Sequence, residues 1–123
     1  MKRLCVVVMV CLLGTHADAQ TRWSDFTTPA DRALLDRLIR AEDARARTPA
    51  DLATLREGLK AKNPALRRFA VRGLGRLERG EVLVDIVPLL DDTSAVVRNA
   101  AADALAQGAS RDGMRLARAA LAE

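Results

Sequence analysis

The chain has 123 residues, half of them hydrophobic and 29% charged, with 20 basic against 16 acidic side chains, two Phe, one Trp and no Tyr. This composition excludes a disordered chain, a collagen-like repeat and a polytopic membrane protein. The length suits one domain at most, and two Cys and one His leave little material for metal or redox chemistry.

Residues 1–19 have the pattern of a signal peptide. Lys2 and Arg3 form a positive start, Leu4 to Gly14 is an uncharged apolar run of 11 residues, and Ala17-Asp18-Ala19 places small residues where a signal peptidase reads them. The run is about half of the ~20 residues that span a bilayer, so cleavage before Gln20 is expected in preference to a retained anchor. A lipoprotein would need a small residue before Cys11, where Val10 stands. The expected destination is the periplasm or the medium, with no membrane contact after cleavage.

Cys5, Cys11 and His16 all leave with the excised segment. The remaining chain, Gln20 to Glu123, cannot build a disulfide framework, a zinc site or a nucleophile–histidine pair. It keeps 18 basic and 15 acidic residues once Lys2, Arg3 and Asp18 are subtracted. That excess is too small to argue for nucleic acid.

Residues 20–27 form a polar lead-in carrying Trp23 and Phe26. Three residues apart, the two aromatics can share one side of a turn and cover the open end of the first helix pair; a docking motif is the other use of such a pair. Thr28-Pro29-Ala30-Asp31 then recurs as Thr48-Pro49-Ala50-Asp51, each with a capping hydroxyl, a proline at the first helical position and an acid in the first turn. Leu34, Leu35, Leu38 and Ile39 follow the first, giving an N-terminal capping helix within 28–47. Leu52, Leu55 and Leu59 follow the second.

Asn63-Pro64 opens a further helix, with Leu66, Phe69, Ala70, Gly73, Leu74 and Leu77 on one face and Gly80 as its stop. Val82 to Leu90 is so uniformly apolar that propensity alone would allow a strand. The repeat decides for a helix bent at Pro88. A shift of 31 residues superposes Leu52 on Leu83, Leu55 on Ile86, Leu59 on Leu90, Arg67 on Arg98, Ala70 on Ala101 and Leu74 on Leu105, and the cap Asn63 on Ser94. A period near 30 built of two helices marks an all-α solenoid of stacked antiparallel pairs. The units are 48–79, 80–110 and an incomplete 111–123, about two and a half repeats. In the last, Met114, Ala117 and Leu121 fall on Leu83, Ile86 and Leu90, and its uncovered apolar face points to a continuing array or to self-association.

The stretch Asp91-Asp92-Thr93-Ser94-Ala95-Val96-Val97-Arg98-Asn99-Ala100-Ala101-Ala102-Asp103-Ala104-Leu105 resembles the short bacterial, phycobilisome-lyase-like HEAT repeat. Leu66 to Gly75 resembles a second copy, and the likeness covers roughly Pro49 to Leu121. It implies a binding scaffold and says little of activity. The opening, from the signal peptide through Leu35 to Arg45, is similar to exported proteins that join such repeats to a cyclophilin-type peptidyl-prolyl isomerase domain. No cyclophilin residue is present in this chain.

On their own terms, the small residues Ala100, Ala101, Ala102 and Ala104 let helices approach closely. Arg67 and Arg98 occupy equivalent positions, and with Asp91 and Asp92 they suit a structural ladder between repeats. Residues 56–79 carry eight basic side chains against two acidic, whereas 81–103 carry five acidic against one basic. Arg68, Arg72, Arg76 and Arg79, spaced four, four and three, are expected along one exposed side of the helix from Pro64. The HEAT resemblance implies that second helices line the concave side, where this stripe could meet a protein or peptide partner, an acidic one first of all. The stripe has no aromatic interleaving beyond Phe69, which speaks against nucleic acid.

No catalytic, cofactor-binding or metal-ligating residue emerges. The pairs Asp91-Asp92 and Glu42-Asp43 are adjacent and diverge, and Thr93 and Ser94 suit helix caps. The expected function is that of an exported, non-catalytic HEAT scaffold. The second expectation is the leader of a larger exported enzyme, a prolyl isomerase whose catalytic domain is absent here.

Overall fold

The computed structural model of the chain describes residues 25–108 together with 118, 119, 121 and 122. The segment expected to be a signal peptide, Trp23, Met114 and Ala117 lie outside the described residues. Among the described residues up to Gly108, five α-helices follow one another: α1 (Pro29–Asp43), α2 (Pro49–Gly58), α3 (Pro64–Gly75), α4 (Gly80–Leu83) and α5 (Ala95–Gln107), with a 3-10 helix (Val87–Asp91) between the last two. No strand occurs among the described residues.

Local chemistry explains where the helices begin. Thr28 Oγ1 accepts the Asp31 backbone N–H at 3.0 Å, and Thr48 Oγ1 accepts that of Asp51 at 3.1 Å. At α2 the Asp51 carboxylate answers by accepting the Thr48 N–H, completing a reciprocal cap. Asn63 caps α3 through the Ala65 N–H. Ser94 holds the cap position of α5, but its hydroxyl makes no capping bond; the Asp92 carboxylate accepts the Ser94 N–H at 2.8 Å instead. Each side-chain cap contributes about 1 kcal/mol.

Two helix ends depart from the sequence expectation. α3 stops at Gly75 and not at Gly80, because the chain turns through Leu77 and Glu78, whose N–H groups bond the carbonyls of Leu74 and Gly75. Glu78 takes φ 52°, a left-handed position usually filled by glycine. The segment Val82 to Leu90 is helical but broken, where a continuous helix bent at Pro88 was expected. Pro88 has no N–H to give, and its ring collides with the carbonyl four residues back, so α4 ends after one turn. The chain resumes as a 3-10 helix with Pro88 in its first turn.

These elements form two layers. α1, α3 and α5 lie side by side; α2 packs against α1 and α3, and the 3-10 helix packs against α5 with α4 against α3. Leu38, Leu55, Leu66, Leu74, Leu83 and Ile86 are fully buried between the layers, and no buried polar side chain is present among the described residues. Residues related by the 31-residue shift share burial: Leu55 with Ile86, Ala70 with Ala101. Small residues set the spacing. A methyl group on Gly75 would lie 2.7 Å from Ala104 Cβ, and one on Gly58 would lie 2.7 Å from Ala70 Cβ and 2.8 Å from a Leu38 methyl. The last residues described, in 118–122, are helical where assigned, and Leu121 is 64% exposed.

The layer α1, α3, α5 repeats one polar device. Four residues after each cap stands an arginine that donates to the carbonyl six residues before it: Arg32 to Phe26 (3.0 Å), Arg67 to Ala61 (2.8 Å) and Arg98 to Asp92 (2.7 Å). Arg67 also forks onto Asp92, Nε to Oδ2 and Nη2 to Oδ1, both at 2.8 Å, with side-chain exposures of only 14% and 10%. Asp91 stands outside this arrangement, exposed at the end of the 3-10 helix. The ladder runs through Asp92 alone.

The Arg67 hydrogen bonds hold the Asp92 carboxyl below the usual carboxylate range, against the opposing effect of burial, and the Ser94 N–H adds to the lowering. A depressed acid stabilises the fold above its unfolded pKa of ~3.9, and that contribution is lost as pH falls through the lower folded value. Asp92→Asn should therefore cost about 3 kcal/mol at neutral pH, since it leaves the shielded guanidinium without its charge partner. Melting curves of wild type and variant should separate near neutrality and converge in acid; a constant gap down to about pH 2 would count against the pair.

Gly75→Ala should cost about 1–3 kcal/mol by forcing α3 from α5. The double variant Gly75→Ala/Ala104→Gly should recover part of it in chemical denaturation. Equal loss in single and double variants would place the strain elsewhere.

Candidate protein-binding groove

The groove between α1 and α3 begins with two hydrogen bonds that fix the lead-in. Asn63 Nδ2 donates to the Asp25 carbonyl at 2.8 Å and to Asp31 Oδ2 at 3.0 Å, while Arg32 Nε donates to the Phe26 carbonyl. With the carbonyls of Asp25 and Phe26 both held, the Phe26 ring is buried against the two helices. Leu35, Ile39 and Glu42, in steps of four and three, form the α1 wall; Phe69, Arg72 and Arg76, in steps of three and four, form the other. The groove encloses about 350 Å³. Its floor is aliphatic and aromatic, and its rim is charged.

The four arginines of the expected stripe have different fates. Arg68 is half-buried and has an interaction of its own. Arg72 is exposed at the groove rim, with no carboxylate in ion-pair contact among the described residues. Arg76 caps the end of α3 and pairs with Glu42 across the groove. Arg79 lies beyond the helix, half-buried, donating to the Ala46 carbonyl at 3.2 Å and standing 3.7 Å from Glu81. A single helix face carrying all four is thus corrected: α3 is too short, and two of the four tie loops and helices together.

The ladder residues Arg67, Asp92 and Arg98 gather at the starts of α3 and α5 and line no part of the groove. Sequence reasoning missed Glu42 as a groove residue. Its signal was the 35, 39, 42 spacing on α1, which puts an acid in line with two apolar side chains. The adjacent pairs do diverge: Glu42 turns to Arg76 while Asp43 is exposed, and Asp92 turns to Arg67 while Asp91 is exposed. Such a groove can take an apolar side chain on its floor and a carboxylate at Arg72. No group of His, Cys, Asp and Glu among the described residues could hold a metal ion, and no described helix is long and apolar enough to cross a membrane.

The chain matches the family model for HEAT repeats over residues 52–123, more than half its length. That span takes in most of α2 and all of α3, α4 and α5. No curated protein and no solved structure matches it.

Proposed function

The chain belongs to the HEAT-repeat family, whose stacked helix pairs serve protein–protein interaction, and we propose that it is an exported, non-catalytic scaffold that captures an acidic protein segment on the α1, α3, α5 layer. The observation that carries this reading is the groove itself. It joins a floor of Phe26, Leu35, Ile39 and Phe69 to a rim on which Arg72 faces solvent. Arg68 and Arg76 lie one turn to either side of Arg72 along the chain, Arg76 on the same rim and paired with Glu42. The charged start and apolar run of residues 2–14, followed by Ala17-Asp18-Ala19, support export.

A scaffold of this kind needs no reactive group, and the chain after Ala19 has neither Cys nor His. A prolyl-isomerase assay on the purified protein should be blank; turnover above the uncatalysed rate would contradict the non-catalytic reading. Intact-mass spectrometry of the product made in a bacterial host should show a chain starting at Gln20 in the exported fraction. An uncut chain retained in the cytoplasm would remove the export proposal.

For partner capture, the triple variant Arg68→Ala/Arg72→Ala/Arg76→Ala should lower binding of an acidic peptide at least tenfold, about 1.4 kcal/mol, with circular dichroism unchanged. The loss should shrink as salt rises. Equal binding by the triple variant would sink the groove as an acid-binding site.

A further inference from the structure

Glu42 is an unexpected occupant of a groove whose remaining charges are positive. Its side chain is 18% exposed and stands in line with Leu35 and Ile39, whereas its partner Arg76 is 67% exposed. A carboxylate largely removed from water is retained at a cost unless a cation holds it. Among the described residues its one ion pair is with Arg76. The rim therefore has two arginines, one of them already neutralised by the chain's own acid.

We infer that Glu42 is a built-in competitor that makes the groove selective for an acidic peptide segment also carrying an aliphatic or aromatic side chain. This rests on the groove being the binding site. The charges carry the choice of occupant: Arg72 and Arg76 against Glu42 leave one positive charge, which a single ligand carboxylate balances. A purely acidic ligand meets Arg72 alone, because Arg76 is held. A ligand that also fills the floor of Phe26, Leu35, Ile39 and Phe69 adds apolar burial, and its carboxylate can take Arg76 from Glu42. Glu42 thus lowers affinity for acids in general and sets the requirement for the apolar side chain.

The test uses three synthetic peptides in fluorescence anisotropy against the full chain. The first has acidic residues around a central leucine–phenylalanine pair; the second has serines in place of that pair; the third has lysines in place of the acids. Wild type should bind the first and neither of the others. Glu42→Gln should tighten the first about threefold to tenfold and bring the second into measurable range. In the Arg76→Met background the same substitution should change nothing, because the competition has lost its object.

Failure of wild type to bind any acidic peptide would overturn the groove reading itself. Binding of the first peptide with no gain in Glu42→Gln, at an unchanged melting temperature, would overturn the role of Glu42 alone. So would a gain that persists in the Arg76→Met background, since the acid would then act by general charge. If Glu42→Gln melts early, Arg76→Met decides: it removes the cation that the ligand carboxylate takes from Glu42, and should weaken the first peptide. Tighter binding there would contradict the inference.

Discussion

The guanidinium of Arg67 joins the turn before its own helix to an acid 25 residues further along the chain. Its Nη1 holds the carbonyls of Ala61 and Lys62 in the turn before α3, and its remaining donors fork onto Asp92 before α5. Asp92 in turn accepts the Ser94 N–H at the start of α5. One side chain thus sets the entry of α3, the entry of α5 and the register between them. A lysine offers no planar fork and could not make these contacts together. With the helix starts held, the rest of α3 and α5 can close to the distance that Gly75 and Ala104 permit.

Charge distribution along the chain takes on meaning in this geometry. Two basic residues of 56–79 meet acids of 81–103 across the boundary between helix pairs: Arg67 pairs with Asp92, and Arg56 with Asp85 at 2.8 Å. On the other side, Arg37 of α1 pairs with Glu57 of α2, an exposed bridge worth at most about 1 kcal/mol. Part of the polarity that looked in sequence like a surface feature thus pairs helix with helix within the stack. Arg72 is the stripe arginine whose charge stays at the groove rim with no acid beside it among the described residues. Stacking and binding therefore draw on the same set of arginines.

Helix starts were legible because capping is local chemistry: Thr28-Pro29, Thr48-Pro49 and Asn63-Pro64 each place a hydrogen-bond acceptor and a preset φ at the first turn. Ends were less so. α3 closes on Glu78 in a left-handed conformation, and nothing in a glutamate announces that. The 31-residue shift aligned Arg67 with Arg98, yet it passed over Arg32, whose spacing to Arg67 is 35 residues. The extra residues lengthen the α1–α2 unit without changing the cap-plus-four position of the arginine. The groove was hidden for a different reason. It exists only because α1 and α3 are neighbours in space, and Leu35, Ile39 and Phe69 read in sequence as ordinary core positions.

What remains is a layer of three helices presenting one apolar groove with a positive rim and its own resident acid. Titration of an acidic, leucine-bearing peptide into isotopically labelled protein, followed by amide NMR shifts, tests that picture most directly. Shifts concentrated at Phe26, Leu35, Ile39, Glu42, Phe69 and Arg72 are the expected result. Shifts confined to α2 and the 3-10 helix, or spread evenly over the surface, would contradict it.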